Sequence, residues 1–341
     1  MLGELVSAKR VNGNSTVIFF VDEYFASDSN FAAGLPLAEN DTLLYVPTSN
    51  EPTTEQVDEY TSKLIAEGKG NPDVIVAIGG GITLDIGKAV ANMLTNGGKA
   101  EDYQGWDLVR ILGIYKIAIP TISGTGSEAT RTCVMTNKKT GLKLGMNSDY
   151  TVYDQIILDP DLTASVPDDQ YFWTGMDAYI HCMESLGGHY RNAIGDAFSR
   201  ESLRLCREVF AGDMKSATSR EKLMVASYLG GCAIATSYVG VVHPLSAALS
   251  VVLGTHHCVA NCIVMRAMES FYPEGFKEFW QMVEKQQVTI PTGLCRDLTE
   301  QQYDQLYASS IIHEKPLTNA LGEDFRNILT PERVRSLFLM M

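Results

Sequence analysis

Several things are scarce in this sequence. No run of eighteen apolar residues occurs, which excludes a membrane-spanning helix. Positive charge is thin: Lys and Arg number 27 against 41 Asp and Glu, a formal net charge of −14, and no basic run breaks the pattern. Nucleic-acid recognition needs clustered positive charge, so no nucleic-acid partner is expected. The seven cysteines are odd in number and form no CxxC pair, which favours a reducing compartment. The start, MLGELVSAKR, has no apolar signal-peptide core, so a cytoplasmic location is expected. Histidine is rare, with six among 341 residues.

What remains is an ordinary globular composition, 45% apolar and 20% charged, in a chain longer than one hydrophobic core usually serves. Two domains are therefore expected. Strands are read at 15–21, 42–46, 73–81 (ending in three glycines), 114–120 and 151–160, alternating with helices such as the one opened by SNEPTTEQ. That alternation predicts a mostly parallel sheet with helices on both faces. Beyond 162 helical periodicity takes over, at 171–187, 195–211, 219–237, 243–253, 257–270 and 274–286. The turn-rich LDPDLTASVPDD sets the expected boundary: an α/β dinucleotide-binding domain at 1–162 and a helical metal-binding and substrate domain at 163–341. A piece of amphipathic helix directly before the first strand is unusual for a doubly wound domain. The reading here is that a leading element is missing or the chain starts late.

Two loops suggest an anion site. In AIGGGITLDIGKA, Gly79, Gly80 and Gly81 join a β-rich run to a helix. Glycine lets a ligand approach the backbone, and a helix start offers unpaired N–H groups with a partial positive charge, a pairing that suits pyrophosphate. This is neither GxGxxG nor a Walker A loop, and a tight strand–helix turn would need the same small residues. PTISGTGSEAT, also after a strand, carries Thr121, Ser123, Gly124, Thr125, Gly126 and Ser127. Two such loops at neighbouring strand ends can clamp a dinucleotide.

GMDAYIHCMES poses a different question: Asp177 and His181 share one face of an apolar helix. Together with His243 and His257 they form an Asp/His₃ set able to hold Zn²⁺ or Fe²⁺. Spacing alone leaves a hydrogen-bonded helical pair as the plainer alternative, and leaves His256 and His313 as rivals.

These stretches, with IILDPDLTASVP and VHPLSAALSVVLGTHHCVAN, resemble the iron-containing (group III) alcohol dehydrogenase family over nearly the whole chain from about residue 15. The resemblance implies the dehydroquinate synthase-like fold: an N-terminal Rossmann-like domain and an all-helical C-terminal domain. It implies an enzyme that uses a divalent metal, Fe²⁺ or Zn²⁺, with NAD or NADP, on a small alcohol, as a homo-oligomer, in the simplest case a dimer. It matches the metal ligands to Asp177, His181, His243 and His257, selecting His257 over His256. Gly79, Gly80, Gly81, Asp85, Lys88, Thr121, Ser123, Thr125, Gly126 and Lys143 match its cofactor residues. Asp22 sits where cofactor choice is set, and a carboxylate there favours NAD by pairing with ribose hydroxyls.

Departures are visible. A second family histidine, four residues after the third ligand, is Ala247 here, so a water, a substrate hydroxyl or His256 must relay the proton. Cys258 replaces a usual glycine, and the family's N-terminal edge strand has no counterpart before Met1. Further stretches, including YQGWDLV and LKLGMNSDYTVYDQIILD, resemble the subgroup containing 3-deoxy-D-manno-octulosonate 8-oxidase. That likeness implies oxidation of the C8 hydroxyl of a sugar acid for lipopolysaccharide 8-amino sugar synthesis, beside a pyridoxal-phosphate aminotransferase. Arg131 is the candidate for the substrate carboxylate, with a surface or capping arginine as the alternative. The competing readings are a simple primary-alcohol or diol dehydrogenase and, in another class, a non-catalytic nucleotide-binding module.

Overall fold

The computed structural model describes residues 1–11 and 15–341 and divides into two compact units. The first comprises residues 1–121 and 127–159, the second 122–126 and 160–341. The first runs α1 (Leu2–Lys9), β1 (Val17–Asp22), α2 (Ser29–Gly34), β2 (Thr42–Val46), α3 (Thr54–Ala66), β3 (Val74–Gly79), α4 (Gly81–Asn96), β4 (Gly105–Trp106), β5 (Lys116–Pro120), β6 (Thr132–Asn137), β7 (Leu142–Asn147) and β8 (Gln155–Ile156). Its main sheet is wholly parallel, in the order β2-β1-β3-β5-β8. This is the doubly wound order whose crevice opens where strand succession reverses, at the carboxyl ends of β1 and β3. Asp22 and Gly79 end those two strands.

The strands form because their residues are apolar on both faces, as a sheet covered on both sides requires. Val17–Val21 and Val74–Ile78 are buried. Burying each Val, Ile or Phe contributes roughly 1.5–3 kcal/mol. Helix α4 packs on this sheet with Leu84, Ile86, Ala89, Val90 and Met93 inside.

Three expectations need correction. The strand expected at 151–160 is only Gln155–Ile156, paired with Ile117–Ala118. Ser148 caps a 3-10 turn over Asp149–Thr151, and Pro160 opens another, so little extended chain is left. An antiparallel pair, β6 with β7, was not foreseen; with β4 it makes a second small sheet. The helix expected over 257–270 stops at Val264 and continues as a 3-10 turn.

The second unit is helical: α5 (Asp168–Gly187), α6 (Ala193–Ala211), α7 (Ala217–Ser237), α8 (Val242–Leu253), α9 (His257–Val264), α10 (Pro273–Gln286), α11 (Glu300–Ile311), α12 (Glu314–Leu321), α13 (Phe325–Ile328) and α14 (Pro331–Leu339). Helix α5 is its centre, buried without a break from Thr174 to Ser185. The N–H groups of Gly124 and Gly126, in the segment 122–126, donate to Ser227 Oγ on α7. A Cβ on Gly124 would stand 1.6 Å from the Thr174 carbonyl oxygen, and Gly126 has φ +61° against Gly231, so both positions require glycine. The N-terminal Rossmann-like α/β domain and the all-helical C-terminal domain are thus both present.

Candidate metal centre and dinucleotide site

In the helical unit, α5 presents Asp177, His181 and Glu184 on one face, at i, i+4 and i+7. Helix α8 brings His243 as its second residue, with Pro244 tolerated in the first turn. Gly254 in the left-handed region (φ +68°) ends α8, and α9 starts at His257. The three helices converge. His181 Nε2 and His243 Nε2 each lie 3.4 Å from Asp177 Oδ1, and His257 Nε2 lies 3.7 Å from Oδ2. Asp177, His181 and His243 offer ligand atoms all within 4.8 Å of one another.

Burial raises the cost of ionising Asp177, but His181, His257 and His243 outweigh it and hold the carboxyl well below its usual range. Burial pushes the His181 imidazole down to about 4 against the pull of Asp177, so its lone pair is free near neutrality. His243 is opposite: burial lowers it, but Glu184 and Asp177 raise it to about 9.

Glu184 is a site residue that the sequence reading missed. Fully buried, it binds His243 Nδ1 and accepts the Val242 N–H at 2.6 Å. The Nδ1 contact turns His243 Nε2 towards Asp177, the arrangement by which carboxylates orient metal-bound histidines. Its spacing from Asp177 was the available signal. Asn261, also missed, stands one turn after His257 and donates to Asp177 Oδ1 at 2.7 Å. One carboxylate facing three imidazole nitrogens fits a borderline divalent ion.

The rivals fall elsewhere. His256 is exposed at the residue before α9, next to His257, and His313 precedes α12. Ala247 is buried on α8.

In the α/β unit, Gly79 ends β3, Gly80 caps α4 without a side-chain hydrogen bond, and Gly81 is the first helical residue. Gly80 thus offers the first N–H groups of this 16-residue helix no capping side chain, which suits a phosphate. Asp22 Oδ1 accepts from Tyr24 N–H at 3.0 Å and from the Thr48 hydroxyl at 3.2 Å. Thr121 N–H donates to the Gly79 carbonyl, tying the two loop starts together. Asp85 accepts from Ser127 Oγ and Val134 N–H, and Lys88 donates to Thr130 and Thr132, so both hold the fold around the loop. Lys143 Nζ lies 3.0 Å from Glu51. In the helical unit, Ser123 and Thr125 lie in the segment held by Ser227. Ser123 Oγ is buried without a hydrogen-bond partner among the described residues.

The Arg131 guanidinium lies against two carboxylates of its own chain, Asp107 and, at 3.0 Å, Asp149.

Residues 2–160 match the iron-containing alcohol dehydrogenase family model, and residues 172–306 match that of the Fe-containing alcohol dehydrogenase family, C-terminal. Sulfoacetaldehyde reductase of Bilophila wadsworthia (strain 3_1_6) is 35% identical over 221 residues, 64% of this chain and 56% of that one. The chain thus matches little more than half the length of that relative. 4-Hydroxybutyrate dehydrogenase of Cupriavidus necator is 28% identical over 87% of this chain and 88% of its own. Among solved structures, 1,3-propanediol oxidoreductase superposes with a TM-score of 0.83 at 22% identity, covering 99% of this chain and 94% of that one. The chain belongs to the iron-containing alcohol dehydrogenase family.

Proposed function

We propose that the chain is a metal- and nicotinamide-dependent oxidoreductase that interconverts a primary alcohol, including diols and hydroxy acids, with its aldehyde. The observation that carries this reading is the convergence of His181, His243 and His257 on Asp177. A divalent ion there supplies Lewis acidity, lowering the pKa of an alcohol oxygen. The nicotinamide supplies the hydride acceptor.

The chain's own residues do the rest. Asp177 and the three histidines fix where the alcohol oxygen sits. Glu184 and Asn261 hold their orientation. In the α/β unit Gly79–Gly81 and the α4 N-terminus hold the pyrophosphate, with Thr121 and Lys143 as further cofactor residues of that unit; Ser123, Thr125 and Gly126 are the remaining positions that the family resemblance assigns to the cofactor. Asp22 at the end of β1 favours NAD over NADP by repelling a 2′-phosphate. With Ala247 in place of a histidine, the proton leaves through water, a substrate hydroxyl or the exposed His256.

Within this class an acid-bearing substrate has support. Two relatives are named for molecules with an acid group, sulfoacetaldehyde and 4-hydroxybutyrate. The likeness of YQGWDLV and LKLGMNSDYTVYDQIILD to the octulosonate-oxidase subgroup points the same way. The C8 hydroxyl of 3-deoxy-D-manno-octulosonate is the finer proposal, with a dimeric enzyme working beside an aminotransferase.

The test is a substrate panel on protein reconstituted with Fe²⁺ or Zn²⁺: 1-propanol, 1,3-propanediol, 4-hydroxybutyrate and 3-deoxy-D-manno-octulosonate, with NAD, NADP or O₂. NADH and peroxide are followed together. Metal-dependent NADH production is expected, lost with a chelator and restored by the ion. Protein that binds metal and NAD yet turns over nothing would favour the binding module. Preference for neutral diols would remove the sugar-acid refinement alone.

A further inference from the structure

Helix α8, which carries His243 as its second residue, starts without a cap of its own: Val241 stands at the cap position and makes no side-chain hydrogen bond. The first N–H groups of a helix need acceptors when they are buried. Val241 and Val242 are both fully buried, so these acceptors must come from other elements. Glu184 on α5 supplies one, accepting the Val242 N–H through Oε1 at 2.6 Å. Tyr272, the residue before α10, supplies the other: its hydroxyl oxygen accepts the Val241 N–H at 3.1 Å. The same hydroxyl donates to Glu184 Oε1 at 3.5 Å. Glu184 then has Oε2 on His243 Nδ1. Tyr272, Glu184 and the start of α8 form one connected set of hydrogen bonds, with a histidine of the metal cluster at its edge.

A second, independent feature is the room kept for that hydroxyl. A Cβ on Gly240 would stand 2.3 Å from Tyr272 Oη and 3.1 Å from Glu184 Oε1. Gly240 is not among the positive-φ glycines, so space rather than backbone conformation calls for it. A Cβ on Gly187, the last residue of α5, would come within 3.2 Å of the tyrosine ring at Cε1. The Tyr272 backbone is held as well: its N–H donates to Met268 O at 2.9 Å, and its carbonyl accepts from Phe276 N–H at 2.8 Å. A phenylalanine would fill the same volume and leave Val241 N–H without its acceptor.

We propose that Tyr272 is a positioning residue for the metal centre, acting through Glu184 and the α8 N-terminus to fix the orientation of His243. The proposal rests on the metal reading of Asp177, His181, His243 and His257. Without the hydroxyl, Glu184 Oε1 loses a donor and the start of α8 loses an acceptor, so the carboxylate is freer to swing away from His243 Nδ1. Partners outside the ligand set govern the ring orientation of metal-bound histidines in this way.

The experiment uses the full chain with Zn²⁺ and Co²⁺ as probes. Tyr272→Phe should lower Zn²⁺ affinity, measured by competition with a chelator, about tenfold, the lower end for a partner outside the ligand set. Its Co²⁺ ligand-field bands should change in position or intensity. In a Glu184→Gln background the same substitution should add little, because a residue that acts through Glu184 has nothing left to act on. Gly240→Ala keeps the phenol but takes the place of its hydroxyl, and should lower the affinity in the same direction; it gives the reading even if Tyr272→Phe does not fold. An unchanged Zn²⁺ affinity and cobalt spectrum, with a lower melting temperature of the metal-free protein, would make Tyr272 a packing residue and overturn the proposal. So would an undiminished effect on top of Glu184→Gln. An unmutated chain that binds neither ion would overturn the metal reading, and the proposal with it.

Discussion

The two units each bury a charged cluster, and the clusters are built on opposite plans. In the α/β unit, Lys88 is fully buried, and its ammonium donates to Thr132 O at 2.6 Å and Thr130 Oγ1 at 3.0 Å. Asp85, 3.7 Å away, accepts from Ser127 and Val134. Donors meet acceptors, and the cluster is closed. In the helical unit, Asp177 faces imidazole nitrogens, and His243 is held by Glu184 so that its Nε2 looks inward. Asn261 donates to Asp177 Oδ1, yet the carboxylate and three imidazoles converge in the arrangement that suits a divalent cation. A buried charge is therefore poor evidence of function until its partners are counted. The closed cluster stabilises a fold, while the open one is arranged for chemistry.

The contrast can be broken experimentally. The largest effect is expected for His181→Ala or His243→Ala, which remove a ligand outright. Metal occupancy should collapse, exceeding the roughly 10–100-fold loss that an outer-shell change brings, while circular dichroism keeps its helical signal. Full occupancy in either variant would sink the ligand assignment. Next comes Lys88→Met, which leaves Asp85 buried beside an apolar chain and should cost about 3–5 kcal/mol. Denaturation curves should show that loss while metal content per folded chain is unchanged. A parallel loss of metal would mean that the closed cluster also serves the site. Glu184→Gln keeps its shape but weakens its hold on His243, and metal affinity measured by competition with a chelator should drop ~10–100-fold. An unchanged affinity would make Glu184 only a helix-start acceptor for Val242. Smallest is Thr299→Ala, which removes a capping box with Gln302 at the start of α11 and should cost about 1 kcal/mol. It is the control for stability loss without consequence at the metal.

What the sequence disclosed follows the same division. The strands β1, β2, β3 and β5 were legible because a doubly covered parallel sheet writes itself as continuous apolar runs. The β6–β7 hairpin was not, since Thr132, Val134 and Thr136 alternate with buried Cys133, Met135 and Asn137 and leave a thin apolar signal. Gly141, at φ +66°, was its one clear mark. Of the four helices beyond residue 286, α12 and α13 escaped because they are short, whereas α11 carried a readable start in its Thr299–Gln302 capping box and was missed all the same. At the site, Asp177 and His181 could be paired by helical spacing alone. The meeting of His243 and His257 with them depends on how α8 and α9 pack on α5, which spacing does not encode. Glu184 was hidden because a buried glutamate within an apolar helix announces its depth, but not its partner.

The segment 122–126 has a consequence for how such a protein can change over generations. It lies in the first half of the sequence but belongs to the helical unit, so the chain passes between units three times: after 121, after 126 and after 159. A recombination event that swapped everything before residue 160 would import five foreign residues into the helical unit. Those residues must fit Thr174, Ser227 and Gly231 to within the width of a methyl group. An exchange at that point keeps its packing only where the incoming loop already fits the helices that receive it.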